Sequence, residues 1–381
     1  MKQLSLFLFV LLHVACKSDK KEIISEKGIP NNVRITHATG FTIEKTANGI
    51  TLIKITSPWP NAEASFTYAL IPKEKLRTIP LEKEKYDAII PTPVETIVVT
   101  STTHIPALDA LGVLDKLIGF PDTKYISSEK ANNYVALGKI KDIGINESLN
   151  TELTIALQPE VLVGFGVNGQ NSTYETLKRS NIPVVYNGDW TEATPLGKAE
   201  WIKFFAPFFD KEKEAELIFS KIQTAYNEVK QIASKAKNRP TVLSGAMYKD
   251  VWYLPGGNSW AAQFIKDANA DYLWKDNLDT GSLSLSWEHV LQKAKDADYW
   301  ISPAQFISYE DMINTSSHYK EFASFTNKTI YTFANTIGAS GGILYYELAP
   351  QRPDLVLRDL VYILHPELLP DHDPFFFKLV Q

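Results

Sequence analysis

Two rhythms of apolar and polar positions follow one another along this chain. The first is short and alternating. Phe41-Thr42-Ile43 and residues 50–55 (Ile-Thr-Leu-Ile-Lys-Ile) flank Asn48-Gly49, the dipeptide that most favours a tight hairpin turn. A third such run, 65–71, follows Pro58-Trp59-Pro60. This stretch predicts a small β extension over residues 34–95. From residue 96 the pattern becomes strand then helix. Runs 96–100, 117–119, 161–164 and 183–186 read as buried strands, and 107–111, 150–158 and 172–179 as helices. Such alternation implies a parallel sheet covered by helices, here a first lobe over 96–193.

Residues 194–238 break that rhythm. Ala215, Ile218, Ile222, Ala225, Val229 and Ile232 recur at spacings of three and four, which is one face of a helix. Pro207 interrupts the preceding segment, and Asp210 offers a cap. A helix from 211 to about 237 would be about 40 Å long at about 1.5 Å per residue, which suits a stiff connector between lobes. After Pro240 the strand-helix rhythm resumes over 239–381. Residues 241–244, 299–301 and 329–333 read as strands. Residues 259–268 (capped by Ser259), 286–297 and 354–364 read as helices. The pattern is lobe, long helix, lobe.

Composition fits this picture. The 381 residues are 44% hydrophobic and 22% charged, an ordinary globular balance in a chain too long for one core. The formal net charge of -5 argues against nucleic acid as partner, because phosphate binding needs a basic surface. The single cysteine, Cys16, cannot form an internal disulfide or a cysteine-based zinc site. Its place is informative. Lys2 and an apolar run over 4–12 precede it, too short to span a bilayer and right for a secretory signal. Residues 1–15 therefore resemble a lipoprotein signal peptide, with Cys16 as the acylated first residue and 16–33 as a flexible tether. His13 departs from the leucine usual at that position. The expected location is the periplasm, lipid-anchored to a bacterial membrane.

Each lobe carries one local unit: a capping residue, a glutamate two positions on, and a helix leading into a strand. These are Asn150-Thr151-Glu152 and Ser286-Trp287-Glu288. An acidic residue in a first helical turn is stabilised by the helix dipole whatever its role, so local physics does not choose between capping and docking. The stretch 150–163, with Ala156-Leu157-Gln158-Pro159-Glu160-Val161-Leu162-Val163, resembles the substrate-binding proteins of ABC importers for ferric siderophores, haem and vitamin B12. Thr103 to Gly112 followed by 117–120 is similar to the family's opening. Residues 253–259 and 352–355 are similar to parts of its second lobe. The resemblance covers about 96–366. It implies an α/β fold of two Rossmann-like lobes with parallel sheets joined by a long α-helix, here with a small N-terminal β extension added. It also implies a non-enzymatic protein without a cofactor, monomeric when free, that delivers its ligand to a membrane-embedded permease dimer. One glutamate per lobe docks on that permease. Those positions match Glu152 and Glu288, with Glu147 a nearby competitor.

Ligands of parallel α/β sheets bind beyond the carboxyl ends of the strands. That rule selects Thr103, His104, Phe165, Trp190, Tyr248, Trp252, Trp260 and Tyr345, with Arg352 at the second-lobe rim. Aromatic groups offer broad apolar area at small rotamer loss, suiting a macrocycle or the organic shell of a chelate. A triply anionic chelate would call for several arginines, and only Arg352 is placed near the cleft, which favours a hydroxamate or citrate-type chelate, haem or a corrinoid. Two other functions are compatible with parts of the sequence. Bare metal-ion binding would need converging ligands. His104 and His289 are the best placed, His318, His365 and His372 look peripheral, and no metal site is expected. His104 alone could be an axial haem ligand. A serine hydrolase would use Gly338-Ala339-Ser340-Gly341-Gly342 as a nucleophile elbow, but four residues separate that motif from the preceding strand.

Overall fold

The computed structural model describes residues 33–381, apart from 81, 147 and 170. The signal segment, Cys16, residues 17–32 and Glu147 lie outside the described residues. Among the described residues, no helix is long and apolar enough to cross a membrane.

The first lobe is a five-stranded parallel sheet in the order Val184–Tyr186, Val161–Gly164, Ile97–Val99, Leu117–Phe120, Lys141–Asp142. The second has the order Asp271–Tyr272, Thr241–Ser244, Tyr299–Ile301, Ile330–Thr332, Lys378–Leu379, parallel except for the last strand. The continuously apolar central strands are buried on both faces, as parallel sheets require. The two lobes and their parallel sheets match the fold expected from the sequence.

The extension is a four-stranded sheet: Phe41–Lys45, Thr51–Ile55, Phe66–Pro72 and Ala88–Thr92. The first pair closes through the Asn48-Gly49 turn, where Gly49 has φ of 84°. Its fourth strand, parallel to the third, was not legible as a strand. Phe41, Ile43, Ile53 and Ile55 alternate inward and join the same core as Ile97, Val98 and Val99 of the first lobe. The extension is thus packed on that lobe. Its entering chain is pinned by two buried carboxylates. Glu200 accepts the amides of Thr36 (2.9 Å), His37 (2.6 Å) and Ala38 (2.9 Å), and Glu192 those of Thr39 (2.8 Å) and Gly40 (2.9 Å).

The connecting helix runs Glu212–Ala233, shorter than expected. Asp210 does not cap it; the residue before the helix is Lys211, with no side-chain cap. The buried stripe is Ala215, Phe219, Ile222, Tyr226, Val229 and Ala233. Phe219 and Tyr226 take the central places expected for Ile218 and Ala225. Aromatic residues beside an aliphatic stripe reach further and bury more area. Ala215, Phe219 and Ile222 belong to the first core, Tyr226, Val229 and Ala233 to the second. A three-stranded antiparallel sheet in the second lobe was not expected: Ala246–Tyr248, Val251–Pro255 and Ser282–Ser286.

Candidate binding cleft

Three adjoining cavities lie where the carboxyl ends of the two parallel sheets face each other. One of about 340 Å3 is lined by Ser101, Phe120, Tyr125 and Phe165 of the first lobe and Ile343 and Tyr346 of the second. One of about 890 Å3 sits over the antiparallel sheet, with Tyr248, Tyr253, Trp260, Phe306, Phe333, Tyr345 and Tyr346 in its wall. A third, of about 660 Å3, opens between Trp59 and Asn61 of the extension, Trp190, and Trp260 and Ser282 of the second lobe. The second and third share Trp260 and Ser282, and the first and second share Tyr346. Among the described lining residues the charged side chains are Asp122, Glu192 and Lys249. Two of them are engaged: Asp122 pairs with Lys124 at 3.0 Å, and Glu192 holds the extension.

Aromatic stacking shapes the floor. Tyr345 stacks on Phe333 with centroids 4.2 Å apart, and Trp260 lies 5.9 Å from Tyr345. Burial drives the Tyr345 hydroxyl pKa well up, so the ring is a neutral surface. Across the cleft, Lys198 donates to the carbonyls of Asp189 and Trp190 at 3.0 Å and stands 5.2 Å from the Trp260 ring centre. That buried ammonium is held by carbonyls and a π face, and burial lowers its pKa against the pull of Asp189 and Glu192.

Of the nine expected cleft residues, Phe165, Trp190, Tyr248, Trp260 and Tyr345 line it. Four do not. Trp252 is fully buried: it stacks on Trp300, and both indoles donate to the turn that ends Thr241–Ser244, to Ser244 (3.1 Å) and Gly245 (2.8 Å). It supports the floor from below, while its strand neighbour Tyr253 faces the cavity. His104 is buried at a helix start against Phe205, and burial, opposed by Asp189 and Asn187, lowers its pKa. It does not reach the cleft, so the axial-ligand role is removed. Thr103 turns its hydroxyl to Asp189 at 2.7 Å. Arg352 clasps Asp354 at 2.7 and 2.8 Å beside Ile218 and Ile222 of the connecting helix, behind the cleft. The carboxyl-end rule could also have found Asp122 and Tyr125, which follow Leu117–Phe120, and Phe333, which follows Ile330–Thr332. Trp59 and Asn61 carried no such signal, because the extension is not part of either parallel sheet.

A seam joins the lobes beside the small cavity. Glu347 of the second lobe is buried and accepts the amides of Ser127 (2.6 Å) and Ser128 (2.9 Å) of the first. Burial raises its pKa to about 7 against those two amides. Gly338 and Gly342 lie flat on the first-lobe backbone: a β-carbon at either would stand 2.3 Å from the Ser127 carbonyl oxygen or 2.4 Å from that of Tyr125. The hydroxyl of Ser340 donates to the Ile126 carbonyl. Ser340 therefore belongs to a loop between Ile330–Thr332 and the helix Leu344–Leu348, and the nucleophile-elbow geometry is not formed.

Glu152 and Glu288 are exposed in the first turns of Thr151–Leu157 and Trp287–Ala294, capped by Asn150 (2.9 Å) and Ser286 (3.3 Å). A crossover helix runs back along its sheet, so its first turn stands at the sheet's carboxyl edge, the side of the cleft.

Residues 97–331 match the sequence profile of the periplasmic binding protein family, and the chain belongs to that family. It is 29% identical over 300 residues to an uncharacterised lipoprotein of Methanocaldococcus jannaschii, covering 76% of this chain and 69% of that one. Its fold is that of a possible iron-binding, periplasmic solute-binding protein of Staphylococcus epidermidis (TM-score 0.55, 18% identity, 72% of this chain and 100% of that one). It is likewise similar to the periplasmic haem-binding protein HutB of Vibrio cholerae (TM-score 0.53, 18% identity, 69% and 99%). Members of this family are substrate-binding proteins.

Proposed function

We propose that this protein is the substrate-binding lipoprotein of an ABC importer. It captures an iron complex (a ferric siderophore or haem) or a corrinoid between its lobes and hands it to a permease. The observation that carries this reading is the lining of the cleft: broad aromatic faces and hydroxyls, with two of its three charged groups already engaged. Such a surface favours a bulky, weakly charged organic complex and offers little to a bare ion or a triple anion. Glu152 and Glu288, one per lobe on the cleft side, are the docking knobs for basic groups of the permease. Cys16 is the lipid anchor, which keeps the protein outside the cytoplasm at a bacterial membrane.

Tryptophan fluorescence titration with ferric siderophores, haemin, cyanocobalamin and free iron, zinc and manganese ions tests the ligand class. A saturable change is expected with a complex and none with free ions. No response to any complex overturns the reading. Docking is tested by Glu152→Arg combined with Glu288→Arg. Uptake is expected to fall while the purified protein still folds and binds; unchanged uptake overturns the docking roles.

A further inference from the structure

The loop 57–62 joins Thr51–Ile55 to Phe66–Pro72 of the extension, yet it lies across the ligand-facing end of the first lobe. The hydroxyl of Thr191 donates to the Ser57 carbonyl at 3.2 Å. A β-carbon on Gly188 would come within 2.2 Å of the Ser57 carbonyl oxygen, and one on Gly166 within 2.7 Å of the Trp59 ring. Gly166 and Gly188 each follow a strand of the first-lobe sheet, and at both positions the absence of a side chain is what lets the loop seat. Trp59 packs edge-on against Tyr186 (5.6 Å) and Phe66 (6.0 Å), so its indole is fixed by both the lobe and the extension. Asn61, exposed and with φ of 56°, stands at the turn. Both side chains line the 660 Å3 cavity opposite 280–282 of the second lobe.

We infer that the extension supplies a third wall of the cleft, and that loop 57–62 is a specificity-determining element reading the outer rim of the bound complex. The inference rests on the ligand-capture reading above and adds the chemistry of one end of the site. The wall presents an indole, an amide and hydroxyls. The carboxylate beside it, Glu192 of the first lobe, already receives the amides of Thr39 and Gly40 and, at 3.1 Å, the indole N–H of Trp201. A wall that offers no Lys or Arg among its described residues, beside a carboxylate whose lone pairs are already filled, selects a neutral periphery of amides and hydroxyls over one of carboxylates. The residues that form it precede residue 97, where the match to the family begins, so the two lobes common to the family do not contain it.

Isothermal titration calorimetry with cyanocobalamin and ferrioxamine B, both amide-bearing, and haemin, whose rim is carboxylate, tests the wall. The wild-type protein is expected to bind an amide-bearing probe more tightly than haemin. Trp59→Ala and Asn61→Arg are each expected to weaken that binding about tenfold or more, equivalent to about 1.4 kcal/mol. Asn61 is exposed, so Asn61→Arg changes the wall without disturbing the core, even if Trp59→Ala fails to fold. Saturable wild-type binding that Asn61→Arg leaves within about twofold overturns the wall while the capture reading stands. Tighter binding of haemin than of both other probes overturns the neutral-rim chemistry. No binding of any probe by the wild type overturns the capture reading and the wall with it.

Discussion

Two buried carboxylates show how a single residue sets opposite responses to pH. Glu347 has a folded pKa of about 7, above the ordinary carboxylate value, because burial outweighs two amide donors. The unfolded chain binds fewer protons between those values, so the contribution of Glu347 to stability is full below about pH 4.5 and lost as pH rises through about 7. Glu200 is the reverse. Burial would raise its pKa, but the amides of Ala38 and His37 and the Lys203 ammonium outweigh it and hold it low. Its contribution is present above the unfolded pKa and lost as pH falls through the folded one. Thermal melts from pH 5 to 8 should therefore show a fall in Tm that Glu347→Gln flattens; identical slopes would show that the seam does not titrate. At this scale the sequence shows which loops face the cleft but not which side chain of a strand turns inward. Val251–Pro255 alternates, burying Trp252 and Leu254 and exposing Tyr253. The period of two would have chosen Tyr253 over Trp252 once that stretch was read as a strand.

Among the elements, the connecting helix depends on which core each of its turns enters. Phe219 is almost fully buried in the first lobe's core, and Tyr226 in the second's, where its hydroxyl meets Asp267 at 2.7 Å. Phe219→Ala should cost about 3 to 5 kcal/mol, from lost burial plus the cavity left behind. Tyr226→Phe should cost about 1 to 3 kcal/mol, since Lys230 (2.8 Å) and Gln263 (2.8 Å) both hold the other oxygen of Asp267 and the one that Tyr226 met loses its donor. Chemical denaturation of the two variants measures both costs; a loss under about 1 kcal/mol for Phe219→Ala would mean that this turn does not anchor the first core. The three-and-four spacing made the helix legible from the sequence, and also its role as connector. Which flank of the stripe is central was not legible, because Ile218 and Phe219 are both apolar and only the shape of the surrounding core ranks them. The antiparallel sheet under the 890 Å3 cavity escaped for a similar reason: Ser282–Ser286 alternates serine and leucine, too weak a pattern beside Asp276, Asp279 and Gly281 before it.

The described residues form two lobes, a connector and an extension that shares the first lobe's core. A chain starting at residue 96 would uncover the apolar faces of Trp201, Phe204 and Tyr186 that Phe41 and Phe66 now meet. It should be insoluble or strongly destabilised relative to the full chain, as measured by soluble yield and Tm. A stable, soluble truncation would show that the extension is dispensable to the core. The order of lobe, helix and lobe could be read from hydropathy alone, and the placement of the extension could not, since its contacts come from residues more than a hundred positions away, such as Glu192 and Glu200. The glycine seam has a consequence of its own. Neither Gly338 nor Gly342 has a positive φ, so either could accept alanine on dihedral grounds; only the facing carbonyls of Ser127 and Tyr125 forbid it. A single methyl group there would act as a wedge. At Gly338, which is outside the lining of the three cavities, it would shift the population toward an open form and so separate how tightly a complex is held from how readily the lobes release it.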